Sequence, residues 1–259
     1  MVVFFDIDGT LVDEETQMIP DSAIRALHKL RENGHIPVVN TGRPYALIDD
    51  RIRELPFSGW VCGCGTEVLL DGQWLIQVRL SEELCRSVRE DVHACNMQVV
   101  YEPSLPGVYL DGEYSTHPTI VKECKKLEDR GFFVKPLEEN QVFLKFVTYD
   151  GDNSRREEFL KRMKPRFTCI DRGDTMLEIV LKGHSKAGGM EKLLQHLGIS
   201  KKDSMAIGDS TNDLPMFGVA GHTVCMGNGM EELKQQAEYI TDTVLNDGIE
   251  KALQYFGLI

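Results

Sequence analysis

Four short stretches carry side chains that could do chemistry together. Asp6-Ile7-Asp8-Gly9-Thr10 sets two carboxylates two residues apart, directly after an apolar run. If the backbone leaves the extended form at Ile7 and Asp8, a bend that Gly9 permits, both reach one small site. Such a pair can divide nucleophilic and general acid–base work. Taken alone, the pair could equally be a capped turn in which aspartate binds backbone amides. A D-x-D-G-T pattern arises by chance in about one window in 10^5, so its presence is informative. Asn40-Thr41-Gly42-Arg43 offers a hydroxyl and amides ahead of a helix, an arrangement that binds phosphate, or else a plain strand-to-helix turn. Lys186 opens a further helix and places a point charge near its amides, which suits an anion, although an isolated lysine is ordinarily a solvated surface charge. Gly208-Asp209-Ser210-Thr211-Asn212-Asp213 sets Asp209, Asn212 and Asp213 within one helical turn. An oxygen-rich cluster of that kind suits Mg²⁺, which keeps waters and shares a phosphate; a helix cap is the plain alternative.

The elements that must position these residues are read from periodicity. Residues 2–6 form an apolar strand of the type buried on both faces of a parallel sheet. Residues 20–33 read as a helix with Ala23, Ala26, Leu27 and Leu30 as its apolar stripe and Gly34 as its stop. Residues 36–40 are a second strand, followed by a helix with Pro44 in its first turn. A third strand spans 60–62, and 67–70 and 73–76 flank Asp71-Gly72, a strong hairpin signal. The middle reads differently. A helix capped by Ser81 is followed by strands at 98–101 and 107–110, a helix at 118–129, a strand at 141–149 and a helix at 154–163. Strands at 166–171 and 176–181 close it, a mixture that suggests an α+β domain. After Lys182 alternation returns: helices at 186–197, 212–218, 230–237 and 248–256, and strands at 204–207, 223–226 and 239–240. The two ends therefore join into one α/β parallel sheet, a Rossmann-like core of residues 1–80 and 183–259, with 81–182 inserted. In open sheets of this kind, sites lie beyond the carboxyl ends of the strands, where all four motifs fall.

Composition bounds the reading. The chain has 259 residues, 42% hydrophobic and 27% charged, an ordinary globular balance long enough for two domains. Its formal net charge of −12 supplies no global field for nucleic acid, although a local basic pocket is compatible with it. The apolar start stops at Asp6, too short for a membrane span or a signal-peptide core, so no membrane partner and a cytoplasmic location are expected. The seven cysteines are scattered, and Cys62 and Cys64 have no second pair at zinc spacing. They read as buried reduced thiols.

The order of the four motifs and the gaps between them resemble haloacid dehalogenase-superfamily phosphatases of the Cof type with a type-2 cap. The stretch between Asp8 and Thr41 leaves no room for a large cap, whereas that between Thr41 and Lys186 holds one. The resemblance implies a HAD-like core with an inserted α+β cap at 81–182. It implies Asp6 as nucleophile and Asp8 as general acid and base. It implies Mg²⁺ held by Asp6, the Asp8 backbone carbonyl and Asp209. The phosphoryl group would be held by the Ile7 amide, Thr41, the Gly42 amide, Lys186 and Asn212, with Asp213 behind them orienting Lys186 or metal waters. The implied activity is Mg²⁺-dependent hydrolysis of a small phosphorylated metabolite, such as a sugar phosphate, through an aspartyl-phosphate. A phosphosugar mutase would use the same aspartate pair, and a non-catalytic binding domain could keep the fold. Arg43, the 102–107 loop and the surroundings of His117 are candidates for reading the rest of the substrate. One departure is Gly63-Cys64-Gly65-Thr66, where the family pattern is Asn-Gly-Ala.

Overall fold

The computed structural model describes every residue from Met1 to Ile259 except Asp174. In chain order the elements are β1 (Val2–Phe5), α1 (Asp21–Glu32), β2 (Ile36–Asn40), α2 (Asp50–Arg53), β3 (Gly59–Cys62), β4 (Glu67–Leu70) and β5 (Gln73–Gln77). Then follow α3 (Glu82–Cys95), β6 (Gln98–Glu102), β7 (Gly107–Leu110), α4 (Pro118–Asp129), β8 (Phe133–Pro136), β9 (Lys145–Tyr149), α5 (Arg156–Met163), β10 (Phe167–Asp171) and β11 (Met176–Leu181). The chain closes with α6 (Lys186–Leu197), β12 (Ser204–Gly208), α7 (Leu214–Phe217), β13 (His222–Cys225), α8 (Glu231–Lys234), β14 (Tyr239–Ile240) and α9 (Gly248–Tyr255). The fold is α/β, with two compact units.

The first unit comprises Met1–Gly42, Asp50–Ile76 and Ser185–Ile259. Its sheet runs β14-β13-β12-β1-β2-β3-β4-β5. The six strands from β14 to β3 are parallel, and β4 turns back antiparallel on β3. β1 is central because Val2, Val3, Phe4 and Phe5 have no polar face to expose; all four are fully buried. Val2 and Phe4 pack with Val38, Val61, Ala206 and the α6 side chains Met190, Leu193 and Leu194. In α1 the expected stripe of Ala23, Ala26, Leu27 and Leu30 is the buried face. Asp71 (φ 44°) and Gly72 (φ 79°) both take the left-handed conformation, as a two-residue turn between right-twisted strands requires. Chain direction changes side at β1: β2 lies on one flank and β12 on the other, which opens a crevice at its carboxyl end.

The second unit comprises Arg43–Asp49 and Gln77–His184. Its sheet runs β10-β11-β9-β6-β7-β8 and is antiparallel except for β7 with β8. One face buries Tyr101, Phe146, Leu177 and Ile179 against α3 and α5. The other buries Val108, Val147 and Tyr149 against Ile120 and Cys124 of α4.

Four local expectations differ from the structure. The helix expected after Pro44 is a 3₁₀ turn at Tyr45–Leu47 and then the single turn α2, because Ile48 between them is extended. The 141–149 strand begins at Lys145, since Gln141 is held in a turn with Glu138. The helix expected at 230–237 is only the turn α8. β8 was not foreseen: four residues ending in proline give a weak strand signal, and it forms at a sheet edge. Seven residues of the first half, Arg43–Asp49, also group with the second unit. Leu47 is buried in the α4-side core, and Arg130 grips Asp49 through two 2.8 Å hydrogen bonds. The seven cysteines are free thiols, all buried except the half-buried Cys169.

Candidate active site

All nine residues singled out for chemistry lie in the first unit. β1 ends at Phe5, and the Asp6 N–H still donates to the Ile207 carbonyl (3.0 Å). The chain then folds over itself. The Ile7 carbonyl accepts from the N–H groups of Thr10, Leu11 and Val12 at 3.3, 2.9 and 2.8 Å. Gly9 takes φ 76°, and a Cβ there would lie 2.4 Å from Asp209 Oδ2. Glycine thus supplies both the bend and the close approach of the β12 loop. Asp6 is buried; Asp8 is half-buried and close enough for its charge to act on Asp6. The Ile7 side chain lies in the core.

α6 brings Lys186 to Asp6. Ser185 caps the helix through Gly188 N–H (3.0 Å), which sets Lys186 as the first helical residue. Its Nζ lies 2.9 Å from Asp6 Oδ1 and 2.7 Å from Asp213 Oδ1, with the lysine side chain 1% exposed. β12 brings in the third group. Asp213 Oδ2 accepts from the N–H groups of Asp209 and Ser210 (3.0 and 3.1 Å), folding the loop back on itself. Asp209 Oδ1 accepts from Thr10 Oγ1 (2.9 Å). Asn212 Oδ1 accepts from Ser210 Oγ (2.7 Å), so the donor of its amide is the nitrogen. Parallel pairing sets Phe5 beside Val39, so Thr41 and Gly42, after Asn40 at the end of β2, leave the sheet at the same end as Asp6. The Thr41 N–H donates to Val61 (2.8 Å), and its carbonyl accepts from Cys64 N–H (3.2 Å). Cys64 itself is left-handed (φ 54°) between Gly63 and Gly65, which share that conformation.

Motif reading missed several participants. Thr10 stands in the first motif but carried no assigned role. Asn228 donates to the Gly9 carbonyl (2.7 Å) and accepts from Val244 N–H (3.2 Å). Its one signal was a polar residue between two glycines after a strand. Asn40 donates to the Lys186 carbonyl (3.2 Å). Arg43, by contrast, belongs to the second unit, where it lies 3.6 Å from Asp49. In that unit His117 caps α4 through Thr119 N–H (3.2 Å), and Glu102 pairs with Lys145 at 3.2 Å.

Charge at the first-unit site is unbalanced. Burial pushes the Asp6 carboxyl up to about 7; Lys186 opposes this, while Asp213 and Asp8 reinforce it. Burial likewise pushes Asp209 up to about 8, reinforced by Asp6 and Asp213. Burial disfavours the Lys186 charge, but Asp213 and Asp6 outweigh it and hold its pKa above the ordinary value. Ligand atoms of Asp6, Asp209 and Asp213 lie within 4.8 Å of one another. The donor set fits a hard divalent cation: oxygen atoms only, buried, with more negative charge than one lysine neutralises. Asp6 and Asp209 are the better ligands, because both oxygens of Asp213 are already engaged, one by Lys186 and one by two backbone N–H groups.

A family model described as haloacid dehalogenase-like hydrolase matches residues 3–253. A putative phosphatase, YkrA of Bacillus subtilis (strain 168), is 28% identical over 100% of this chain and 98% of its own length. The 5-amino-6-(5-phospho-D-ribitylamino)uracil phosphatase YcsE of the same organism is 28% identical over 99% of this chain and 96% of its own. The solved structure of a haloalkanoate-superfamily phosphatase from Bacteroides thetaiotaomicron superposes with a TM-score of 0.84 at 28% identity, covering 100% of this chain and 95% of that one. Among the described residues, no helix is long and apolar enough to cross a membrane. With the model match spanning nearly the whole chain and the likeness extending over both units, the protein belongs to the haloacid dehalogenase-like hydrolase family.

Proposed function

We propose that this chain is a Mg²⁺-dependent phosphatase that hydrolyses small phosphorylated metabolites through an aspartyl-phosphate on Asp6. The observation that carries the reading is the buried set of Asp6, Asp209 and Asp213 around Lys186. A nucleophilic carboxylate can approach a phosphate dianion only where positive charge offsets their repulsion. Mg²⁺, held by Asp6, the Asp8 carbonyl and Asp209, would supply that charge and polarise a phosphoryl oxygen. Lys186, Thr41, Asn212 and the amides of Ile7 and Gly42 hold the remaining phosphoryl oxygens. Asp6 attacks phosphorus while Asp8 gives its proton to the leaving alcohol. Asp8 then takes a proton from the water that cleaves the aspartyl-phosphate. Asp213 keeps Lys186 aimed and the Asp209 loop closed.

The inserted second unit, which takes in residues 81–182, serves as the cap that selects the substrate, and the first unit serves as the catalytic core. The substrate is a small polyol or sugar carrying a phosphomonoester. YcsE, whose name specifies a phosphorylated ribityl chain, supports that class. The test is phosphate release from a panel of phosphorylated sugars, polyols and nucleotides, with Mg²⁺ or with chelator, for wild type and Asp6→Asn. Release that needs both Mg²⁺ and Asp6 supports the reading; release that persists in the variant overturns it.

A further inference from the structure

Asn40 is a buried amide that makes only half of its contacts. It is fully buried at the end of β2, one residue before Thr41. Its Nδ2 donates to the Lys186 carbonyl at 3.2 Å and lies 3.5 Å from Met216 Sδ. Its Oδ1 accepts no hydrogen bond from any described residue. The orientation of the amide follows from its neighbour, because a carbonyl can only accept. An orphan acceptor in a core costs stability, and an apolar side chain of the same shape would not carry that cost. Packing alone therefore does not account for an asparagine here.

The position of the donated bond does account for it. Asn40 is covalently next to Thr41 and hydrogen-bonded to the main chain of Lys186, residues 146 positions apart in contact. The Thr41 backbone is tied on its far side to Val61 and Cys64. The start of α6 is wedged there too: a Cβ on Gly65 would lie 2.2 Å from the Ser185 carbonyl, and one on Gly189 would lie 2.4 Å from Val61 Cγ1. The Asn40 amide is the side-chain strut of this frame, joining the strand that carries the hydroxyl to the helix that carries the cation. We propose that Asn40 is a positioning residue: its Nδ2–H to Lys186 carbonyl bond fixes the separation of Thr41 and Lys186, and so the shape of the cradle for a tetrahedral oxyanion. This rests on the reading of Thr41 and Lys186 as holders of the phosphoryl group. Preorganised donors lose effect when displaced by a fraction of an ångström.

The experiment compares wild type with Asn40→Leu, which removes the amide at nearly constant volume, and with Asn40→Ala in case the larger side chain does not fold. Four quantities are read: the thermal midpoint, the Mg²⁺ concentration giving half-maximal stabilisation, phosphate release, and calorimetric binding of tungstate, a tetrahedral oxyanion, with Mg²⁺ present. Expected is a thermal midpoint for Asn40→Leu equal to or above wild type and an unchanged Mg²⁺ requirement. Tungstate affinity and kcat both fall about tenfold or more, with KM moving less than kcat. Wild-type affinity and kcat in the variant overturn the positioning role, as does a fall in kcat that only follows a lowered thermal midpoint. If wild type releases phosphate but neither variant differs from it, this inference alone fails. If wild type neither releases phosphate nor binds tungstate, the phosphatase reading and this inference fail together.

Discussion

Among the described residues, Lys145 and Lys186 are each buried between a pair of carboxylates, and the charge around the two pairs differs. In the second unit, Lys145 lies 3.2 Å from Glu102 and in contact with Glu178, and Arg172 stands 3.6 Å from the other Glu178 oxygen. Arg43 also acts on Glu102, so cations face both carboxylates there. In the first unit, Lys186 bridges Asp6 and Asp213, but Asp209 adds a third carboxylate within 4.8 Å. Each carboxylate of the first arrangement has a cation beside it, whereas in the second three carboxylates gather around Lys186. Burial raises Glu102 as well, with Lys145 drawing it back down. Asp6 and Asp209 are pushed up to about 7 and about 8 in spite of Lys186. A buried ion pair is weak evidence of anything beyond architecture. A buried surplus of one sign is costly, and a fold keeps it where an ion of the other sign is to bind.

The largest effect expected is on chemistry. Asp6→Asn keeps the shape of the site but removes the nucleophile, and steady-state phosphate release should fall at least about 10^4-fold. The lysines come next. Lys186→Met and Lys145→Met each strand buried carboxylates and should each cost about 3–5 kcal/mol in denaturant unfolding of the metal-free protein. Mg²⁺ should restore much of the loss in Lys186→Met and none in Lys145→Met; equal rescue of both would dissolve the distinction between the two clusters.

A third effect separates them by pH. In the unfolded chain Asp6 and Asp209 titrate near the ordinary 3.8, and in the folded metal-free chain near 7 and 8. The unfolded state loses these protons first as pH rises. Their contribution to stability is thus fully present below about pH 4 and is lost between about pH 4 and pH 8. Mg²⁺ competes with the same protons, so its Kd should fall as pH rises, and at one fixed Mg²⁺ concentration its stabilisation in thermal melts should be larger at pH 8 than at pH 6. A pH-independent Mg²⁺ shift would contradict the charge surplus. The smallest effect belongs to Thr10→Val, which deletes the hydroxyl bonded to Asp209. Mg²⁺ affinity by calorimetry should weaken about tenfold while Asp6 is untouched.

What was legible in the sequence follows the physics of each part. β1, β2 and β12 are apolar runs ending in polar motifs, so both the strand and the place where chemistry begins are local signals. The convergence of Asp6, Lys186, Asp209 and Asp213 is long-range, yet the motifs lay at strand ends and helix starts, where a parallel sheet gathers them. Asn40 stood in the second motif without an assigned role and Asn228 in none, because their partners are 146 and 219 positions away. The passage of Arg43–Asp49 to the second unit escaped for the same reason: Asp49 is held by Arg130, 81 positions on. β8 escaped because an edge strand of four residues needs little hydrophobic pattern.

The most direct test of the charge surplus as the seat of phosphoryl transfer is acid quenching during turnover of a substrate labelled on its phosphate, followed by counting label on the protein. Labelled protein that forms only with Mg²⁺, is discharged by hydroxylamine and is absent from Asp6→Asn is the expected result. Phosphate release at the full rate with no labelled protein, or label retained in Asp6→Asn, would contradict it.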